Sequence, residues 1–115
     1  MHDCLLYIGN PDCAAETLNQ ECGKWYDYWD PWAENDDEYA DLMDVDVTKL
    51  HTVGDVKKVD ASKLASAVDC VMTESGTLYR NFYNIMTPEQ VAQLFQLVLQ
   101  GYEDSQPVAF FDIHV

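Results

Sequence analysis

The chain has 115 residues, 48% of them apolar, which is enough for a single domain with one core and too apolar for a disordered tail. Twenty-one acids stand against six bases, a formal net charge of −15. Charge of that sign repels phosphate at long range, so direct binding to DNA, RNA or anionic lipid is excluded and cations or basic proteins are favoured. The acidity is also local. Tyr26–Asp46 holds nine carboxylates and five aromatic rings with no lysine or arginine. No run of about 18 apolar residues is present to span a membrane. The start, Met-His-Asp-Cys-Leu-Leu, lacks a basic leader, so a cytoplasmic protein is expected.

Residues 1–115 are read as one α+β domain, helix-rich, with a small sheet that includes both terminal strands. Cys4–Gly9 reads as a short buried strand. Asn10-Pro11 is a helix start, with Asn as cap and Pro at the first helical position, and Gly23 is its left-handed stop, which gives a helix over Pro11–Cys22. Lys24–Asp30 reads as a short turn or helix, since Trp25, Tyr28, Trp29 and Trp32 recur at helical offsets. Pro31 breaks that pattern and is expected to open a second helix capped by Asp30.

Over Pro31–Asp44 a step of about 100° per residue sorts the side chains by face. Trp32, Tyr39 and Met43 share one side, with Leu42 at its flank. Glu34, Asp37, Glu38, Asp41 and Asp44 share the other, at offsets i, i+3, i+4, i+7 and i+10. As a helix, the segment has an aromatic face for the core and a stripe of bare carboxylates. Like-charge pairs such as Glu34/Glu38 and Asp37/Asp41 cost such a helix a few tenths of a kcal/mol each, roughly. A stripe that opposes its own helix points to a use other than stability.

Further on, Val45, Val47, Leu50 and Val53-Gly54-Asp55-Val56 read as an extended or hairpin region turning near Gly54. Asp60 caps a helix expected over Ala61–Thr73, with Leu64, Ala67, Val68, Val71 and Met72 on its apolar face, and Ser75-Gly76 breaks it. Leu78–Met86 fits a helix or a strand equally. Thr87-Pro88-Glu89-Gln90 is a capping box opening a helix with Val91, Leu94, Phe95, Val98 and Tyr102 on one face, ended by Gly101. Its outer residues Gln93, Gln96 and Gln100 are neutral, so acids do not fill every exposed helix face. Pro107–Val115 closes as a strand near the first.

Enzyme signatures are missing: no glycine-rich phosphate loop, no H-E-x-x-H and no G-x-S-x-G. Cys4, Cys13, Cys22 and Cys70 form no C-x-x-C pair and read as reduced thiols. His2 and His114 fall near the two ends, on strands expected to be neighbours, where Cys4 and His114 form the one conceivable nucleophile–base pair. Asp44–Asp55 is a loose match to a calcium loop, with Lys49 where Gly belongs and Asp55 where a bidentate Glu belongs. No cofactor, metal or catalytic residue is therefore assigned.

Binding remains. Nine charges over a segment that spans about 30 Å as helix approach the charge density of one DNA strand, roughly one per 3.4 Å. The candidate partner-binding residues are Asp27, Asp30, Glu34, Asp36, Asp37, Glu38, Asp41, Asp44 and Asp46, with Trp25, Tyr28 and Trp29 as aromatic anchors. In composition and in this stripe the chain resembles the small acidic proteins that mimic nucleic acid. These include phage inhibitors of restriction or CRISPR systems and bacterial mimics that occupy histone-like proteins or repressors. The class has no common fold or motif, so it assigns no residue roles. The resemblance implies a non-catalytic inhibitor, monomer or dimer, that binds a basic nucleic-acid-binding protein. Immunity proteins that neutralise basic nuclease toxins are similar in composition and stand as the alternative; a calcium-binding or enzymatic domain is the alternative of another kind.

Overall fold

A computed structural model of the chain describes residues 2–32, 45–81 and 85–115. In chain order these residues form β1 (His2–Ile8), α1 (Pro11–Glu21), β2 (Tyr28–Pro31), a 3-10 turn (Val47–Lys49), α2 (Val53–Lys57), α3 (Ala61–Ala67), β3 (Cys70–Thr73), β4 (Leu78–Arg80), α4 (Pro88–Gln100) and β5 (Val108–His114). The strands make one mixed sheet in the order β2-β5-β1-β3-β4. The fold is α+β, and the terminal strands β1 and β5 pair antiparallel from His2↔His114 to Ile8↔Val108.

β1 is central because its run Cys4-Leu-Leu-Tyr-Ile8 is buried on both faces, which needs helices on both sides of the sheet. Strand alternation splits the run. Cys4, Leu6 and Ile8 face a core shared with Val53, Val56, Leu64, Phe95 and Leu99 of α2, α3 and α4. Leu5 and Tyr7 face the other core, with Ala14 and Leu18 of α1.

The helix starts follow local chemistry. Asn10 accepts the Asp12 N–H at 3.0 Å with Pro11 at the first position, and Gly23 takes φ 93° after α1. Thr87 accepts the Gln90 N–H at 3.2 Å while the Gln90 side chain accepts the Thr87 N–H at 2.9 Å.

Three expectations are corrected. Lys24–Asp30, read as a short turn or helix, is a turn that leads into β2. The Asp27 and Trp32 N–H groups donate to His114 and Phe110 carbonyls of β5 at 2.8 and 3.1 Å. Pro31 therefore ends an edge strand, where a missing N–H is tolerated, and Asp30 is a strand residue rather than a cap. The rest of the expected helix, 33–44, lies outside the described residues. Second, 45–56 is no hairpin. Thr52 and Asp55 form a capping box that starts α2. Gly54 serves close approach rather than a turn, since a Cβ there would sit 3.1 Å from the Asp104 carbonyl oxygen.

Third, the helix from Ala61 stops at Ala67, and Cys70–Thr73 is a fully buried strand parallel to β1. A continuous apolar run suits a buried strand and a helix face alike, and pairing with β1 decides. Leu78–Met86, open between helix and strand in the sequence, contains strand β4 at Leu78–Arg80. Among the described residues no helix is long and apolar enough to cross a membrane.

Candidate partner-binding surface

α1 and its glycine stop deliver the chain to the sheet edge. Tyr26 is buried and its hydroxyl donates to the Leu18 carbonyl of α1. That internal anchor leaves Trp25 on one side and Asp27 on the other exposed. Asp27 Oδ2 lies 3.4 Å from His114 Nδ1. The Tyr28 ring stacks on the same imidazole, centroids 5.2 Å apart and planes 12° from parallel. Trp25 and Tyr28 stay 48% and 47% exposed, a large aromatic area for a molecule of this size. Trp29 alternates to the other face of β2 and is half-buried. It meets Phe111 edge-on at 5.6 Å and donates its indole N–H to Asn19 at 2.9 Å.

Asp30 is exposed, and its neighbour across the strand pair is Asp112. Two like charges directly opposed cost on the order of 0.2–1 kcal/mol, so this arrangement too is not chosen for stability. Asp46 is different. It caps the 3-10 turn by accepting the Thr48 N–H at 3.1 Å, and Lys49 lies 3.8 Å away. The Thr48 hydroxyl is the main cause that holds its carboxyl below the usual range. Glu34, Asp36, Asp37, Glu38, Asp41 and Asp44 lie outside the described residues, as do Tyr39 and Met43. Trp32 is partly buried against the core near Val47, Val108 and Phe110, at the end of an extended segment rather than on a helix face.

Three basic side chains pair with acids other than Asp27 and Asp30. Lys24 meets Glu21 at 3.1 Å, Lys57 meets Asp104 at 2.8 Å and Arg80 meets Asp3 at 3.2 Å. Within the Asp44–Asp55 stretch, Asp46 caps one turn and Asp55 accepts the His51 and Thr52 N–H groups at 3.0 and 3.2 Å, while Asp44 lies outside the described residues. Among the described residues no three His, Cys, Asp or Glu side chains gather as a metal site. Cys4 is a poor nucleophile. Burial first, and Asp69 second, push its thiol well above the usual range, and its partner across the strands is Asp112 rather than His114.

Sequence reading misses three acids. Asp3, Asp69 and Asp112 are far apart along the chain. The register sets Asp30, Asp112 and Cys4 in one row across β2, β5 and β1. Asp69 continues it, donating its N–H to the Cys4 carbonyl at 2.9 Å and accepting the Cys4 N–H at 2.7 Å. Only the pairing order carries this signal.

Asp69 is exposed, with one carboxylate oxygen held by the Cys4 N–H. Loss of hydration is the main cause that raises its pKa from 3.8 to about 6; Asp3 adds to it, and the Cys4 N–H and Arg80 oppose it. The native state then holds this proton more tightly than the unfolded chain. Its contribution to stability is full below pH about 4 and is lost as pH rises through about 6. Discounted for solvent screening, it is about 1 kcal/mol. Urea unfolding of wild type and Asp69→Asn from acid to neutral pH should show that loss in wild type alone.

Comparison with known proteins gives no relative. No family model, curated protein or solved structure matches the chain.

Proposed function

We propose that this chain is a non-catalytic inhibitor that presents the charge of a nucleic acid and occupies the DNA- or RNA-binding surface of a basic protein. A histone-like protein, a repressor or a restriction or CRISPR component is the kind of partner meant; a basic nuclease is the same kind of target. One observation carries the reading. Tyr28 and Asp30 stand exposed on edge strand β2, which pairs with β5, and Trp25 and Asp27 stand exposed in the segment that leads into it. The acid-rich sequence from Glu34 to Asp46 follows directly. Charge held on a fixed strand needs no ordering when a partner arrives, which lowers the cost of association. Acids steer a basic surface into place, and carboxylates satisfy the same Arg and Lys donors as phosphate. The aromatic rings supply the apolar contact that charge alone lacks.

The test is capture of partners from a cell lysate on the immobilised chain, followed by titration of each captured protein. A true partner is basic, is displaced by duplex DNA or RNA, and binds at least tenfold more weakly at about 200 mM than at about 50 mM salt. A partner indifferent both to salt and to competing nucleic acid would overturn the reading.

A further inference from the structure

We propose that the cleft between α3, the first turn of α4 and the end of β4 binds an organic cation, a guanidinium or primary ammonium group on an aliphatic stem. The cleft has a volume of about 700 Å³, within the range of small-ligand sites, roughly 300–1,000 Å³. Among the described residues three carboxylates line it, Asp3, Asp69 and Glu89, with the guanidinium of Arg80. Asp3 is nearly buried and accepts from Arg80 Nη2 at 3.2 Å. That pair balances itself, which leaves Asp69 and Glu89 as the net charge of the cleft.

The geometry favours a cation with a stem over a bare ion. Asp69 is oriented by the Cys4 N–H through one oxygen, Oδ2. Val68, Met86 and Val91 supply apolar wall, the surface on which methylene groups of basic side chains pack. The rim is held: the Asn81 amide donates to the Met86 carbonyl at 3.0 Å and accepts the Met86 N–H at 2.9 Å. An anion would face two net negative charges here and −15 on the whole chain. The groups that face Asp69 are Asp3 and the Cys4 N–H from β1, Arg80 from β4, and Glu89 across the cleft on α4. Protonation of Asp69 near pH 6 removes one of the two charges that hold the ligand. The site does not depend on the charge-mimic reading, because its test uses the chain alone.

That test is an amide NMR titration of the full chain with butylguanidine, with Nα-acetyl-arginine methylamide, and with butyrate as the anionic control. The expected result is saturable shifts at Ser66, Asp69, Asn81 and Glu89 with either cation and none with butyrate. Affinity should fall about tenfold in Glu89→Gln and in Asp69→Asn. It should also weaken from pH 7.5 to about pH 5.5 in wild type, a step that Asp69→Asn removes. Binding of butylguanidine alone assigns the site to a free small molecule; equal binding of the capped arginine assigns it to a side chain of a protein. Shifts without saturation, equal binding of butyrate, or unchanged affinity in both variants would overturn the proposal.

Discussion

Phe95→Ala is expected to lower the free energy of unfolding by about 3–5 kcal/mol, the usual range for deleting a buried phenylalanine. Phe95 is 1% exposed on the inner face of α4. It lies in the core that β1 supplies through Cys4, Leu6 and Ile8 and that α3 supplies through Leu64. Removing the ring loses its transfer energy and leaves a cavity between a helix and the central strand, neither of which collapses easily. A domain of this size has about 5–15 kcal/mol in total, so the variant should unfold at a much lower urea midpoint with an unchanged slope. Leu97→Ala, on the same helix but 67% exposed, should stay within about 0.5 kcal/mol of wild type. Equal midpoints for the two variants would mean that α4 does not pack on the sheet as described.

The second large effect concerns the proposed partner. Reversing Asp37 and Asp41 to lysine should weaken binding by about 2–5 kcal/mol, or thirtyfold and more. Each reversal turns an attraction into a repulsion where the acids are densest in sequence. Glu16→Lys with Glu103→Lys changes the net charge by the same amount at exposed sites outside that stretch. It should alter the association rate modestly and the affinity little. Circular dichroism checks that both double variants keep the native fold. If the two pairs of reversals weaken binding equally, the partner reads total charge, and a shaped nucleic-acid surrogate has no basis.

The elements legible in the sequence are those whose signals are local. Asn10-Pro11, Asp60 and Thr87-Pro88-Glu89-Gln90 start helices where they are expected to, because a cap and the amides it satisfies lie within three residues of each other. Gly23 ends α1 for the same reason. The first and last strands are legible as short apolar runs between turn residues. Within the acidic stretch, the burial of Tyr26 is not legible in the local pattern, because it follows from the Leu18 carbonyl eight residues earlier.

Tertiary structure decided what depends on a distant partner. Cys70–Thr73 is a strand only because β1, some sixty-odd residues earlier, offers it a parallel edge. Trp29 and Pro31 are strand residues only because β5 lies beside them. By itself the sequence determined that this is an α+β domain with a dense block of acid beside aromatic residues. The strand pairing alone set Asp112 opposite Asp30 and brought Asp69 to Cys4 in the same row. Periodicity and caps act within a turn or two of chain, whereas strand order is a contest among long-range pairings whose outcome no short window contains.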